Sequence, residues 1–326
     1  MEEKIKSLLV VKPSSLGDIV HALQVLQGVA QALPECKITW VARDRFAPLV
    51  EAAPFIHEVI FFRRKDGLRG LWEVLKSLRG RRFDMVWDMQ GLLRSALMAA
   101  APRANYRWGR RDCREAAWLF YGEKVPLPHG DGPHHAISVL QEFPKMLGLS
   151  GEVKFPLSLK PFARFGWEDF FDQEATQNFV IFTDSRGAGK EWRGFAELTQ
   201  LIWETIPGSR IAWCAGAHTA PSGPIPEGRF LNLTGCPLDE MTALVLQPSV
   251  FIGNDSGPMH LSAAVGNRVL AVFGPTAPER FGPFPIGAWN TESVRAPGGV
   301  LAALSAKEVL AGVQALRARS AARHEP

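Results

Sequence analysis

Short apolar runs alternate along this chain with longer amphipathic segments. Ser7 to Lys12 (SLLVVK), Lys37 to Ala42 (KITWVA), Glu58 to Phe62 (EVIFF) and Phe83 to Asp88 (FDMVWD) have the length and the β-branched or aromatic content of buried strands. The stretches between them, Asp18 to about Leu33, Phe46 to Ala53, Leu71 to Arg79 and Leu92 to Ala100, carry helical spacing instead. Strands alternating with helices imply right-handed crossovers and a parallel sheet covered on both faces.

The pattern becomes irregular from Pro126 to Lys160, a stretch rich in Pro and Gly with one apolar helix, His135 to Leu147. A domain boundary near residue 160 is expected there. A second alternating series follows, with strands Phe179 to Thr183, Arg210 to Cys214, Arg229 to Leu233, Val250 to Gly253 and Val269 to Phe273. Its helices are Phe195 to Ile206, Leu238 to Leu246 and Pro258 to Val265. The consistent expectation is two doubly wound domains, 1–160 and 161–326, facing each other across a cleft. A last helix, Ala306 to about Arg319, carries Val309, Val313 and Leu316 on one side, so it is expected to pack, with the first domain as one candidate surface. The end, Ala321 to Pro326, reads as frayed.

Composition narrows the class. Of 326 residues 46% are hydrophobic and 21% charged, which is a folded rather than a disordered balance. No apolar run approaches the roughly 20 residues that span a bilayer, and Met1-Glu2-Glu3-Lys4 lacks the start of a signal peptide, so a cytoplasmic protein is expected. Cys36, Cys113, Cys214 and Cys236 are scattered, without Cys-x-x-Cys or His at ligand spacing, and read as buried apolar fillers rather than a zinc site or disulfide framework. His134-His135 has no carboxylate or Cys partner nearby, so no metal site is expected. Charge is uneven: residues 1–160 hold 24 Lys/Arg against 17 Asp/Glu, and the remainder 13 against 16. A basic half attracts phosphate-bearing acceptors, nucleic acid or an anionic membrane surface.

The densest chemistry lies at Phe251-Ile-Gly-Asn-Asp255-Ser256-Gly257-Pro258-Met-His260, where an apolar strand runs into an acid, two small residues and a helix start. Pro258 suits the first helical turn, and Ser256 and Gly257 leave N–H groups uncovered at the positive end of the helix, where a phosphate would sit. Asp255 would repel that phosphate, so a sugar hydroxyl or a neighbouring cation is its natural partner. The first loop, Lys12-Pro13-Ser14-Ser15-Leu16-Gly17-Asp18, places another carboxylate at a helix start. Asp18 is read there either as a helix cap or as a base for a hydroxyl nucleophile, with Gly17 permitting close approach. Asp184-Ser185-Arg186-Gly187-Ala188-Gly189-Lys190 fails as a P-loop, because Glu191 follows Lys190 and the leading Gly is missing. It remains either a solvated basic turn or a hydroxyl and two cations suited to a diphosphate. Arg63-Arg64-Lys65 with Arg69, and Arg107, Arg110, Arg111 and Arg114, form two basic groups that read as solvated surface singly and as an anion-binding face together. His21 and His260 fit packed histidines. No nucleic-acid motif is present, and a nucleic-acid partner is not expected.

With these residues in place, the chain resembles the ADP-heptose:lipopolysaccharide heptosyltransferases, inverting glycosyltransferases of the GT-B fold. The resemblance runs over nearly the whole length and rests on five segments in order: Lys12 to Asp18, Asp88-Met-Gln90-Gly-Leu-Leu-Arg-Ser95, Lys190-Glu-Trp192, Asn254 to His260, and Phe273-Gly-Pro-Thr276. It implies transfer of heptose from ADP-heptose to a Kdo or heptose hydroxyl of the lipopolysaccharide inner core, without a metal or other cofactor, on the inner face of the inner membrane. In that pattern Asp18 is the general base and Lys190 the cation for the departing diphosphate. Ser185, Arg186, Thr234, Asp255, Ser256, Gly257 and His260 fall on donor contacts, and Ser15, Gly17, Arg63, Arg64, Gln90 and Arg114 on acceptor contacts. The match is closer to members that add the first heptose, through Asp112-Cys-Arg114-Glu115 and the Arg63-Arg64 pair. It departs at Ala215-Gly-Ala-His218-Thr-Ala-Pro221, which lacks the Glu some relatives direct at the ribose, so donor-base contacts are expected to differ. Two other readings stand beside it: the same fold acting on another nucleotide sugar, protein or glycan, and a non-catalytic sugar-nucleotide binder.

Overall fold

The alternation becomes two six-stranded sheets, each wholly parallel. The computed structural model describes residues 5–130, 134–171, 177–187, 189–216 and 220–321. The chain divides into two units, Met1–Lys160 and Pro161–Pro326.

In the first unit the chain runs β1 (Ser7–Val11), α1 (Leu16–Ala32), β2 (Lys37–Arg43), α2 (Ala47–Ala52), β3 (Ile56–Phe62), α3 (Gly67–Leu78) and β4 (Arg82–Asp88). It continues through α4 (Leu93–Ala100), β5 (Arg103–Arg110), β6 (Glu123–Val125) and α5 (Ala136–Leu147). The sheet order is β3-β2-β1-β4-β5-β6. Strands β1 and β4 sit at the centre and are apolar on both faces, as a sheet covered by helices requires. Helix α1 is buried on nearly all sides because α5 packs across it.

Two strands were invisible in the sequence. β5, RANYRWGR, carries three arginines and only two fully buried residues, so it reads as a charge run. Its pairing to β4 is fixed by Trp108, which lies in register with Trp87 and stacks on it at 6.4 Å. β6 is a three-residue edge strand with one buried side chain.

The second unit runs β7 (Asn178–Phe182), α6 (Phe195–Thr205), β8 (Arg210–Cys214), β9 (Phe230–Asn232), α7 (Leu238–Val245) and β10 (Val250–Asn254). It ends with α8 (Gly257–Ala264), β11 (Arg268–Phe273), α9 (Pro278–Phe281), β12 (Thr291–Arg295) and α10 (Ala306–Ala321). The order β12-β11-β10-β7-β8-β9 repeats that of the first unit when each strand is numbered from the start of its own unit. Helix α10 packs as expected: Val309, Val313 and Leu316 are buried in the second unit's own core, with Leu198, Ile202 and Leu270. Edge strand β12, TESVR, was also missed, since only Thr291 of its five residues is buried.

Candidate active site

In both sheets the strand order reverses beside the unit's first strand, between β1 and β4 and between β7 and β10. Open α/β sheets take ligands at such points, outside the carboxyl ends of the strands.

At the first switch point β1 is followed by Lys12, whose ammonium is buried. Its Nζ lies 3.4 Å from Asp18 Oδ1, and the two side chains differ in access: 2% exposed for Lys12 and 40% for Asp18. The helix starts at Leu16, two residues earlier than the sequence suggested, so Asp18 is its third residue and Ser15 the cap. Asp18 Oδ2 accepts hydrogen bonds from the Ser15 N–H (3.1 Å) and hydroxyl (2.6 Å). One carboxylate therefore caps the helix and pairs with Lys12. Partial burial works to raise its pKa, but Lys12 and the two Ser15 donors outweigh it and hold Asp18 well below the usual carboxylate range. Desolvation in turn lowers Lys12, against the pull of Asp18.

A second carboxylate, Asp88 at the end of β4, is fully buried and was not assigned from the sequence. It accepts from the N–H groups of Gln90 (2.9 Å) and Gly91 (3.0 Å), the Ser95 hydroxyl (2.9 Å) and the Tyr121 hydroxyl (2.7 Å). Burial raises its pKa while these four bonds resist. Gly91 is favoured at its turn by φ +74°, and a Cβ there would crowd Cys113 Cα at 3.3 Å. Gly109 is required, because a Cβ there would meet the Tyr121 ring at 2.2 Å. Gln90, held by this turn, accepts the Ser14 N–H through Oε1 at 3.3 Å and so braces the loop that carries Ser15, Gly17 and Asp18.

The basic groups divide. Arg63 and Arg64 follow β3, two strands from β1, and are exposed, Arg63 lying 4.0 Å from Glu73. Arg114 is exposed too, its backbone N–H donating to the Gly91 carbonyl at 2.9 Å. The second group does not form one anion-binding face. Arg107 donates to the carbonyls of Ala99 (2.8 Å) and Pro102 (3.2 Å), and Arg110 is forked onto Asp112 at 2.8 and 2.6 Å.

At the second switch point Asp255 follows β10. Its Oδ2 accepts from Lys190 Nζ at 2.8 Å and from the Thr276 hydroxyl at 3.0 Å. Its carbonyl accepts from Ser185 Oγ at 2.7 Å. Access is reversed relative to the first pair, with Lys190 26% exposed and Asp255 10%. Lys190 also lies 5.9 Å from the centre of the Phe281 ring. Fully buried Asn254 ties the loop in place, donating to the Thr183 carbonyl at 2.6 Å and accepting the Trp192 N–H at 3.1 Å. Ser256 is the N-cap of α8, and its hydroxyl is buried without a partner among the described residues. With Gly257, it leaves donors at the positive end of the helix.

The remaining residues expected on the donor side differ in place and access. Arg186 is exposed on the Ser185 loop. His260 is buried within α8. Thr234 follows β9, two strands from β7, and its hydroxyl donates to Asn232 at 2.7 Å. His218 and its neighbours 217–219 lie outside the described residues. Among the described residues no group of three or more His, Cys, Asp or Glu is placed to hold a metal ion. Sequence reasoning missed Thr276, Asn254, Asp88 and Tyr121. Thr276 and Asn254 stood inside segments already singled out, whereas Tyr121 had no local signal.

Comparison with known proteins places this geometry. Residues 71–296 match the family model for glycosyltransferase family 9 (heptosyltransferase). The lipopolysaccharide core heptosyltransferase OpsX of Haemophilus influenzae is 26% identical, over 86% of this chain and 83% of its own. Lipopolysaccharide heptosyltransferase 1 of Escherichia coli K12 is 27% identical, over 95% of this chain and 99% of its own. The fold matches that of E. coli heptosyltransferase WaaC with ADP, with a TM-score of 0.76 at 24% identity, covering 95% of this chain and 99% of WaaC. A family 9 glycosyltransferase from Veillonella parvula matches with a TM-score of 0.77 at 19% identity, over 95% and 97%. With two parallel six-stranded units of GT-B type and a family match across most of its length, the chain belongs to glycosyltransferase family 9, the heptosyltransferases.

Proposed function

We propose that this glycosyltransferase moves heptose from ADP-heptose to a sugar hydroxyl of the lipopolysaccharide inner core, with inversion at the anomeric carbon. The observation that carries the reading is the opposite access of the two Lys–Asp pairs: the first presents its acid to solvent and the second its cation. An ionised carboxylate is the base an acceptor hydroxyl needs, and a cation is what a departing diphosphate needs. Relatives named for lipopolysaccharide heptose transfer, and WaaC structures with ADP and with an ADP-fluoroheptose, support the choice of substrates.

In this mechanism the acceptor oxygen attacks the anomeric carbon while its proton passes to Asp18. The bond from that carbon to the diphosphate oxygen breaks, and the electron pair leaves with ADP. Because Asp18 is held ionised but weakly basic, the proton moves late, once bond formation has made the hydroxyl acidic. Lys190 has three N–H donors, so one can stay on Asp255 while the others meet the diphosphate. The Ser256 hydroxyl and the N-terminus of α8 add fixed donors to the same charge. That division requires no metal, and turnover is expected to persist in excess EDTA. Asp255, Thr276 and Ser185 position Lys190 and face the sugar hydroxyls.

The acceptor is lipid-linked in this reading, and the first unit offers a surface suited to it. Leu68, Trp72 and Phe61 are 84%, 57% and 48% exposed beside Arg63, Arg64, Lys65 and Arg69. Apolar side chains ringed by cations suit an anionic lipid surface. Among the described residues no helix is long and apolar enough to cross a membrane. Co-sedimentation with phosphatidylglycerol vesicles, weakened in Trp72→Glu, tests this peripheral docking.

The deciding experiment is ADP release from ADP-heptose by the purified protein, with and without a Kdo-containing lipid A acceptor, beside Asp18→Ala. Acceptor-dependent release that the variant loses supports donor, acceptor and base together. Binding of ADP-heptose without turnover on any core acceptor moves the acceptor to another glycan or protein, and no binding removes the donor assignment.

A further inference from the structure

Cys214 and Cys236 are far apart in sequence and were read as independent apolar fillers, but the fold brings them into contact. Cys214 ends β8, and Cys236 closes the turn after β9, immediately before Pro237 caps α7. Both are free, and their sulfur atoms stand 3.3 Å apart, at thiol hydrogen-bond distance. Neighbouring backbone bonds hold the two segments together: the Gly235 N–H donates to the Ala215 carbonyl at 2.7 Å and the Leu233 N–H to the Trp213 carbonyl at 2.8 Å. Two thiols held in contact by a shared strand ladder need no large backbone movement to bond. Their access differs, Cys214 being 3% exposed and Cys236 half-buried.

We propose that Cys214 and Cys236 form a reversible dithiol–disulfide site on the β8–β9 edge of the second unit, closed by low-molecular-weight disulfides of the glutathione class. Cys236 is the attacking thiol, since it is the one solvent reaches. With Cys214 as donor of the shared hydrogen bond, that bond holds the pKa of Cys236 below the ordinary thiol value despite burial and, with burial, pushes Cys214 up. The chemistry closes in two exchanges. The Cys236 thiolate attacks one sulfur of the small disulfide, forming a mixed disulfide and releasing one small thiolate. Cys214 then loses its proton to solvent and attacks Cys236 Sγ, forming the Cys214–Cys236 bond and releasing the second small thiolate. Two protein thiols are oxidised and one small disulfide is reduced to two thiols.

Closure would cross-link positions 22 residues apart on the strand edge where Gly216 approaches Asp184. Gly216 has no room for a Cβ there, which would stand 2.3 Å from Asp184 Oδ2, so the edge touches the loop that leads to Ser185 and Lys190. The proposal does not depend on the sugar transferred.

The test incubates the reduced full-length protein with oxidised glutathione, alkylates the remaining thiols and maps the peptides. The expected product is one cross-linked pair containing Cys214 and Cys236, with loss of two hydrogen masses, reversed by dithiothreitol. Cys214→Ala should stop at a glutathione adduct on Cys236, and Cys236→Ala should slow modification of Cys214 by about tenfold or more, as expected for the loss of the more reactive thiolate. Quantitative alkylation of both thiols after treatment, a persistent adduct on Cys236 in the wild-type chain, or a cross-link to Cys36 or Cys113 would each overturn the proposal. The wild-type map decides even where a variant folds poorly.

Discussion

The two units share a strand order and place one lysine and one aspartate at the same topological point, yet they turn the pair in opposite directions. In the first, Lys12 is sunk beneath β1 and Asp18 reaches solvent; in the second, Asp255 is sunk beside β10 and Lys190 reaches solvent. An ion pair by itself has no polarity of function. What a ligand meets is whichever partner the backbone leaves outermost. The chain order follows suit: the strand end carries the buried member in both units, Lys12 just after β1 and Asp255 just after β10, while the exposed member comes from a loop or helix turn.

The sharpest way to break this comparison is to remove the exposed member of each pair. Asp18→Asn should lower kcat by about 100- to 10,000-fold, the range for loss of a general base, while leaving ADP affinity within about twofold of wild type, well below the tenfold that 1.4 kcal/mol would bring. Lys190→Gln should lower kcat/KM by about 100- to 1,000-fold, as for loss of a positioned transition-state donor, and weaken ADP binding as well. Steady-state ADP release and calorimetric titration of ADP read both, and if the two variants show the same profile the division of labour is wrong.

Removing the lysines alone sharpens the same contrast in stability. Lys190→Met strands a mostly buried carboxylate and should cost roughly 1–3 kcal/mol, read as a lowered denaturant midpoint. Lys12→Met removes a buried cation and leaves an acid that water can reach, so it should cost less than Lys190→Met. A smaller loss, about 1 kcal/mol, is expected for Tyr121→Phe, which deprives buried Asp88 of one of four donors.

The smallest effect is a pH dependence. The folded-state pKa of Asp18 is depressed, so its contribution to stability is present above the unfolded value of about 3.9 and is lost as pH falls through the folded value. Urea midpoints below about pH 4 should fall less steeply in Asp18→Asn than in wild type. Equal slopes would mean that Lys12 and Ser15 do not hold Asp18 in its charged form.

Much of this arrangement was legible without coordinates. Strands such as SLLVV and VFIGN declare themselves by length and apolar content, Asp18, Asp255 and Ser256 stood out where an apolar run meets a helix start, and Lys190 stood out in a basic strand-to-helix loop. Strands β5, β6 and β12 were not legible, since their signal is cross-strand packing rather than composition. Trp108 against Trp87 fixes β5, and no window on the chain contains both. Arg107 and Arg110 misled for the same reason: charge is visible in sequence, whereas the carbonyls and the carboxylate that absorb it depend on the local fold.

The sequence by itself determined two α/β units, the strand ends where acids and cations gather, and the residue types found there, because periodicity and helix-start patterns are local. Only the tertiary structure decided which member of each Lys–Asp pair faces solvent, that Asp88 is bound by Tyr121 from 33 positions away, and that two scattered cysteines touch. Those outcomes depend on which strands become neighbours and how deeply each side chain is buried. Both follow from packing the whole sheet, and neither is encoded in the spacing of residues along the chain.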